Sequence, residues 1–421
     1  MLKSVDVRKR AEDVLARCGK LACFSETRNG ICRPFLSPPM HDCHREIGAW
    51  LTAAGAEVTV DAAGNLRGLY PATQSGPARL MLGSHLDTVP NAGPYDGVLG
   101  VLIAVALLDC LEHQSLPFAI EVVGFSEEEG VRFGTPFIGS RALVGRVDDQ
   151  LLNLQDQAGF SLRTAIENFG LNPAQLASAV LSDEVLAYLE FHIEQGPVLE
   201  SLNYPLAVVE AIAGQTRMEL VFVGRANHAG TTPMHLRHDA LAAAAEWIVA
   251  VEHAAQKTPD LVATVGRVDA TPGATNVIAG KVRATLDVRH KSDEVRQRTT
   301  DALIESAQQI VARRGLSLQS RTLLNQPAVA MDSYLAAEME EAIRLTGSHP
   351  YRMVSGAGHD AMILAEKVPA GMIFLRTPGG ISHDPAESVD LADVAKAIEC
   401  GLHLLDRLAH SSRLQERMSR A

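Results

Sequence analysis

Residues 83–100 read GSHLDTVPNAGPYDGVLG, and the fold follows from that stretch. An apolar run, Leu80–Leu82, precedes it, and Val98–Leu111, apolar and rich in helix formers, follows it. The pattern predicts a strand, a polar loop and a helix, with His85, Asp87 and Asp96 on the loop side. Residues two apart at a strand end share a face, so His85 and Asp87 are expected to point the same way. An imidazole beside a carboxylate suits a metal ligand with its orienting partner, because a ligating His gives its other ring N–H to an acceptor. Asp96, at the mouth of the helix, offers an oxygen ligand. The same three residues could equally do no more than cap a helix, so the rest of the chain has to decide.

Moving outward, Phe118–Phe125 is a near-continuous apolar strand that runs into Ser126-Glu127-Glu128-Glu129-Gly130. Three adjacent acids are often only a solvated face. Here they fall at the C-terminal end of a buried strand, where open α/β sheets place their ligands, and their mutual repulsion asks for a cation. Tyr188–Ile193 is a further strand that brings His192 to its end, and Gly371–Leu375 precedes a loop bearing His383. Strands alternating with helices across Leu80–Gly196 predict an α/β fold with a largely parallel sheet covered on both faces.

The texture changes near Gly214. Thr216–Gly224, Leu261–Val268, Lys281–Arg289 and Leu316–Leu324 alternate as half-exposed strands, and Asp239–Gln256 and Asp293–Arg313 read as helices. Four strands and two helices predict an α+β insert, residues 214–326, between two parts of a main domain, 1–213 and 327–421. A helix is expected over 5–20, with Val5, Ala11, Val14, Leu15 and Cys18 on its apolar side, and a hairpin over Glu57–Tyr70. Residues 148–186 read as helical and polar. After residue 330, helices are expected at Ser333–Leu345 and Leu391–Ala409.

Composition narrows the function classes. With 421 residues, two domains are the natural expectation. The net charge, 38 − 50 = −12, argues against a nucleic-acid footprint. Six cysteines without a CxxC pair fit neither a zinc finger nor a secreted disulfide scaffold. The first twenty residues carry charges and no apolar core of a signal peptide, and no apolar run reaches membrane-spanning length. A cytoplasmic protein with reduced thiols, and no membrane partner, is expected.

Taken together, His85, Asp96, Glu129, His192 and His383 all lie on strand-end loops of the α/β portion. Three imidazoles with two carboxylates suit Zn²⁺ or Mn²⁺. Five ligands exceed what one tetrahedral ion with an open position accepts, so two divalent ions sharing a carboxylate fit better, with Glu128 as general base.

The motifs GSHLDTVPNAGPYDG, EEEGVRFGTPFIGSRAL, FHIEQGPVLE, GRANHAGTTPM, TNVIAGKVRATLDVRH, SGAGHDA and GGISHDPAE resemble the ureido-hydrolysing branch of the di-metal aminoacylase/carboxypeptidase superfamily. That branch holds allantoate amidohydrolases, N-carbamoyl-L-amino-acid hydrolases and β-ureidopropionases. The resemblance implies a di-metal exopeptidase-like catalytic domain interrupted by a smaller dimerisation domain, hence a homodimer. It implies His85, Asp96 and His192 on one ion, and Asp96 (bridging), Glu129 and His383 on the other. Asp87 would orient His85. His192 stands where peptidase relatives carry a carboxylate, which speaks against a peptidase. Gln195, Asn276, Arg289 and a backbone contact at Gly358 would bind a small ureido substrate, with Arg289 clamping its carboxylate. His228, reaching from the partner subunit, would stabilise the oxyanion. His359 reads as structural, and His235, His238 and His290 as solvated. CRPFLSPPMHDCH, WLTAAGAEVTVDAAGNLRG, DTVPNAGPYDG and AIAGQTR look most like allantoate amidohydrolases, with an N-carbamoyl-L-amino acid as the second substrate. A non-catalytic metal-binding scaffold is the alternative from another class, and an intact Glu128 argues against it.

Overall fold

The computed structural model describes residues 6–28, 30–73 and 76–419. Val5, assigned above to the first helix, lies outside the described residues. The chain divides into two compact units, Met1–Glu210 with Met331–Ala421, and Ala211–Ala330.

The first unit is built on a mixed sheet. Its strands are β1 (Glu57–Val60), β2 (Leu66–Tyr70), β3 (Arg79–His85), β4 (Ala119–Phe125), β5 (Val185–Ile193) and β6 (Leu206–Ile212), joined late in the chain by Arg352–Ser355 and Ala370–Leu375. Spatial order runs β1-β2-β4-β3-β5, then Ala370–Leu375, then β6, with Arg352–Ser355 on β6. β4, β3, β5 and Ala370–Leu375 pair in parallel and form the middle; β1, β2 and β6 pair antiparallel at its flanks. Every residue of β3 from Leu80 onward, and all of β4 and β5, is buried, which is why these strands read as continuous apolar runs rather than alternating ones.

Helix Val98–Leu111 is apolar all round and buried on every side but one, as a helix with no polar face must be. It packs against helices Val7–Leu21 and Leu391–Ala409. Asp109, its one uncovered side chain, meets Arg17 at 2.9 Å. Residues 148–186 hold three short helical segments, Asp149–Leu152, Leu162–Asn168 and Pro173–Ala179. Asp148, Ser161 and Asn172 cap them by accepting backbone N–H groups.

The second unit carries a five-stranded antiparallel sheet in the order Ser317–Gln326, Gly214–Val223, Lys281–His290, Val262–Thr264, with Val268–Thr271 also on Lys281–His290. Helices Ala240–Lys257 and Asp293–Arg314 cover one face over Leu220, Phe222, Val282 and Leu286, with Trp247 of the first helix against Phe222. The other face carries charge pairs such as Arg217–Asp287 and Arg283–Glu219. The single strand expected over Leu261–Val268 is two. Thr264 stands opposite Asp287 and Val268 opposite Ala284, so three residues, 265–267, face two, Thr285 and Leu286. That surplus residue, within 265–267, is a bulge, and it breaks the strand. The expectation of a solvated His290 is also corrected. It is buried, its Nδ1 accepting from Ser292 N at 2.9 Å and its Nε2 donating to the Pro259 carbonyl at 3.2 Å.

Candidate metal centre

Parallel register brings the predicted ligands to one level. His85 pairs with Phe125 across β3 and β4, so the Ser126–Glu129 turn leaves the sheet beside the imidazole. His192, on β5 next to β3, pairs with Phe374 on the adjacent strand, just before the loop that carries His383. The space under His85 is kept open by Gly97, whose φ is +68°; a Cβ there would stand 2.5 Å from the imidazole ring.

Two groups of donor atoms share Asp96. Its Oδ1 lies 3.2 Å from His192 Nε2 and 3.8 Å from His85 Nε2, and the two Nε2 atoms are 3.4 Å apart. Its Oδ2 lies 3.1 Å from His383 Nε2, which is 3.4 Å from Glu129 Oε1. The other ring nitrogens face carbonyl oxygens, His85 Nδ1 that of Asp87 at 3.0 Å and His192 Nδ1 that of Ile193 at 2.9 Å. This pattern assigns the proton of each neutral ring to Nδ1 and turns both Nε2 lone pairs toward Asp96 Oδ1. That oxygen is buried and accepts no hydrogen bond. With both rings neutral, three electron-pair donors face one another; against the burial that lowers it, the Asp87, Glu128 and Asp96 carboxylates raise His85 well above the ordinary imidazole range, so the cluster favours a positive charge there, which a cation supplies. His85, Asp96 and His192 form one such triad and Asp96, Glu129 and His383 another, the donor atoms of each within 4.8 Å of one another.

The electrostatics follow from burial and these contacts. Burial pushes His192 down to about 4. Hydrogen bonds to Asp96 and Glu129 raise His383 to about 10. Burial, with the neighbouring Glu129 carboxylate, pushes Glu128 well above the usual carboxyl range. Glu128 joins His85 and Glu129 in a third donor group, so the expected base sits against the cluster. Asp87 acts differently from its expected role. Its carboxylate accepts Glu128 N at 2.9 Å and Glu129 N at 3.1 Å, and its Oδ1 stays 3.5 Å from His85 Nδ1. The acid thus fixes the backbone of the Glu128–Glu129 turn, while its carbonyl orients the imidazole. Gln195, φ +58°, donates Nε2 to Asp96 Oδ2 at 3.1 Å and to Ser382 Oγ at 3.2 Å. Gly358 is half-buried against the Phe137 ring.

The remaining expected residues belong to the second unit. His228 is exposed, and its Nδ1 accepts from Gly230 N and Thr231 N at 3.1 and 3.2 Å, which leaves the proton on Nε2. Asn276 is exposed, and its carbonyl accepts Ala229 N at 2.9 Å. Arg289 donates Nε and Nη2 to the two oxygens of Asp287 at 3.0 and 2.9 Å, so its guanidinium plane is fixed from its own strand.

Residues 81–407 match the model of peptidase family M20/M25/M40. The chain belongs to that family. Among M20/M25/M40 relatives, an N-carbamoyl-L-amino acid amidohydrolase of Geobacillus stearothermophilus is 38% identical over 86% of this chain and 90% of its own. An allantoate deiminase of Arabidopsis thaliana is 36% identical over 94% of this chain and 82% of its own. A solved amidase of the hydantoinase/carbamoylase family from Burkholderia multivorans has a TM-score of 0.89 at 30% identity, covering 94% of this chain and 97% of that one.

Around this M20/M25/M40 site lie His359, read from the sequence as structural, and two groups that the sequence did not single out, Arg33 and Glu190. Arg33, wholly buried, donates Nε to the Leu86 carbonyl at 2.7 Å and Nη1 to those of Leu21 and Phe24 at 3.0 and 3.1 Å. It ties the Pro-rich N-terminal segment to the backbone between His85 and Asp87. Glu190 accepts from Ser84 Oγ and from Ala361 N behind His192, and His359 packs edge-on to the His192 ring. Only position in the fold marks Arg33 and Glu190, which have no motif signal of their own.

Proposed function

We propose that this chain is a di-metal amidohydrolase that cleaves the ureido C–N bond of a small substrate bearing a carboxylate. Allantoate is the first choice and an N-carbamoyl-L-amino acid the second. The observation that carries the reading is the two-sided carboxylate of Asp96, one oxygen facing two imidazole lone pairs and the other facing His383, with Glu128 alongside. The metal ligands in this reading are His85, Asp96, Glu129, His192 and His383, on two divalent ions, Zn²⁺ or Mn²⁺. Bound there, such a pair lowers the pKa of water and polarises a carbonyl.

The chain's own groups do the rest. Glu128, kept basic enough by its surroundings to hold a proton, takes one from the attacking water and delivers it to the leaving nitrogen. His228, with its proton on Nε2, is a ready donor to the oxyanion that develops on the ureido carbon. Arg289, oriented by Asp287, binds the substrate carboxylate, and Gln195, Asn276 and Gly358 line the substrate. On allantoate the products are ureidoglycine, ammonia and carbon dioxide. The inserted unit is the dimerisation domain, and His228 acts from the partner subunit. In this reading the enzyme is a cytoplasmic homodimer; no helix among the described residues is long and apolar enough to cross a membrane, and all six cysteines are free.

Ammonia release from allantoate and from N-carbamoyl-L-methionine, each with Mn²⁺ present, tests the reading. Fast turnover of the carbamoyl amino acid with none of allantoate would reverse the order of substrates. Turnover of dipeptides alone would overturn the ureido assignment.

A further inference from the structure

We propose that Glu387 is a positioning residue, the clamp that holds the Asp96 loop and the His383 loop in one register. The inference rests on the two-cation reading above and adds a part that this reading does not contain. Glu387 comes four residues after His383 and is 4% exposed. Its Oε1 accepts the backbone N–H of Tyr95 at 2.8 Å and that of Asp96 at 3.1 Å, across more than 290 residues of chain. Its Oε2 meets Ser382 Oγ at 3.2 Å, and Ser382 Oγ in turn lies 3.2 Å from Asp96 Oδ2. One carboxylate therefore ties down the peptide that carries the shared carboxylate and the residue next to His383.

Two further features show why such a tie is needed. Asp96 Oδ1 accepts no hydrogen bond, so nothing on that side fixes the side chain before a cation arrives. His383 has a φ of +57°, a left-handed conformation that a residue with a Cβ keeps only when its surroundings impose it. Gly93 makes room for the clamp, since a Cβ at that position would stand 2.3 Å from the Glu387 Cβ and 2.6 Å from Oε1. The loop between Asp87 and Asp96 is thus shaped to receive this particular side chain.

Reach and charge can be separated by substitution. Glu387→Gln keeps the length and the accepting oxygen, and its amide nitrogen can donate to Ser382 Oγ. Glu387→Asp keeps the charge but falls one methylene short of Tyr95 N and Asp96 N. Mn²⁺ binding to the full-length apoprotein, measured by competition with a chromogenic chelator, gives a readout independent of activity. Wild type is expected to take up two equivalents. Glu387→Asp and Glu387→Ala should weaken at least one equivalent by about 10- to 100-fold, the range for removing an orienting partner of a metal ligand. Glu387→Gln should stay within about threefold of wild type. Ser382→Ala, which removes only one arm of the clamp and leaves the buried carboxylate in place, should lose several-fold and guards against a variant that does not fold. Two tight equivalents in Glu387→Ala, or loss in Gln with retention in Asp, would overturn the clamp while leaving the di-metal reading intact. Failure of wild type to bind two equivalents would overturn that reading itself, and the clamp with it.

Discussion

The candidate residues of the two units are held in opposite ways. In the first unit, His85, Asp96 and His192 are buried, the backbones of His85 and His192 sit in a parallel ladder, and that of Asp96 is held by Glu387 in the loop before helix Val98–Leu111. In the second unit, His228 and Asn276 are exposed on loops beside an antiparallel sheet whose outer face is charged. Metal ligands need an electron-pair geometry fixed before the ion arrives, and the ends of buried parallel strands supply it. Groups proposed to meet substrate need access, and His228 and Asn276 are exposed accordingly, yet even in this unit the donor is preset. His228 Nδ1 accepts two backbone N–H groups, and Asp287 grips Arg289 at two points.

Glu128→Gln should break the comparison most severely. The first unit would keep its cation ligands and lose only its base, so two metal equivalents should remain while kcat falls by about 10² to 10⁴. Metal analysis alongside turnover checks this. A fully active variant would remove Glu128 from its role, and loss of metal would move it among the ligands.

The second unit's preset donor comes next. His228→Ala should lower kcat by about 10² to 10³, the cost of removing one oxyanion donor, with metal content unchanged. Arg289→Ala should chiefly raise KM. Mixing the two impaired chains, assayed at substrate below the raised KM, tests the partner-subunit assignment: hybrid dimers should regain activity if His228 serves the neighbouring site, and should stay as slow as the parents if both residues serve their own.

How much of this was legible before coordinates depended on what fixed each residue. The candidate ligands stood out because burial on both faces wrote β3, β4 and β5 as apolar runs, with polar residues at or just past the end of each. The helix over Val98–Leu111 was readable for the same reason. Strand β6 went unread because Leu206–Ile212 carries no turn signal between it and Gly214. The bulge within 265–267 split a strand that alternation alone shows as continuous. Arg33 could not be found from spacing, since its partners are carbonyl oxygens, which every residue has. Asp87 was expected to orient His85 with its carboxylate; in the structure the carboxylate accepts the Glu128 and Glu129 N–H groups and the carbonyl meets the imidazole, a division that depends on the turn lying over it.

Gly97→Ala sharpens the rigidity half of the comparison at a smaller scale. The added methyl would fall 2.5 Å from the His85 ring at a φ of +68°, so the imidazole must shift. A displacement of one ligand, with its chemistry kept, should weaken metal binding by about 10- to 100-fold. Titration with Mn²⁺ measures it, and unchanged affinity would show that the strand-end loop adapts rather than presets.

The smallest effect concerns how the two units bury imidazoles that hold no metal. His44 is buried beneath Phe169 with its Nε2 unpartnered, and burial, aided by His41 and Arg33, lowers it to about 3. Its folded value is below the unfolded one, near 6.5, so between those limits only the unfolded chain binds the proton. Stability then falls as the pH drops from about 6.5 toward 3, at up to about 1.4 kcal/mol per pH unit. His290, in the second unit, is equally buried but has both ring nitrogens hydrogen-bonded. His44→Leu removes the orphaned nitrogen and its proton linkage, so its acid-unfolding midpoint should move down by a few tenths of a pH unit. Stability at pH 8 should change by no more than about 1.5 kcal/mol, because the swap is close to volume-conserving. Far-UV circular dichroism against pH reads both quantities. An unmoved midpoint would mean that the first unit opens around His44 before the imidazole is protonated, and that its rigidity is confined to the strand ends where the ligands sit.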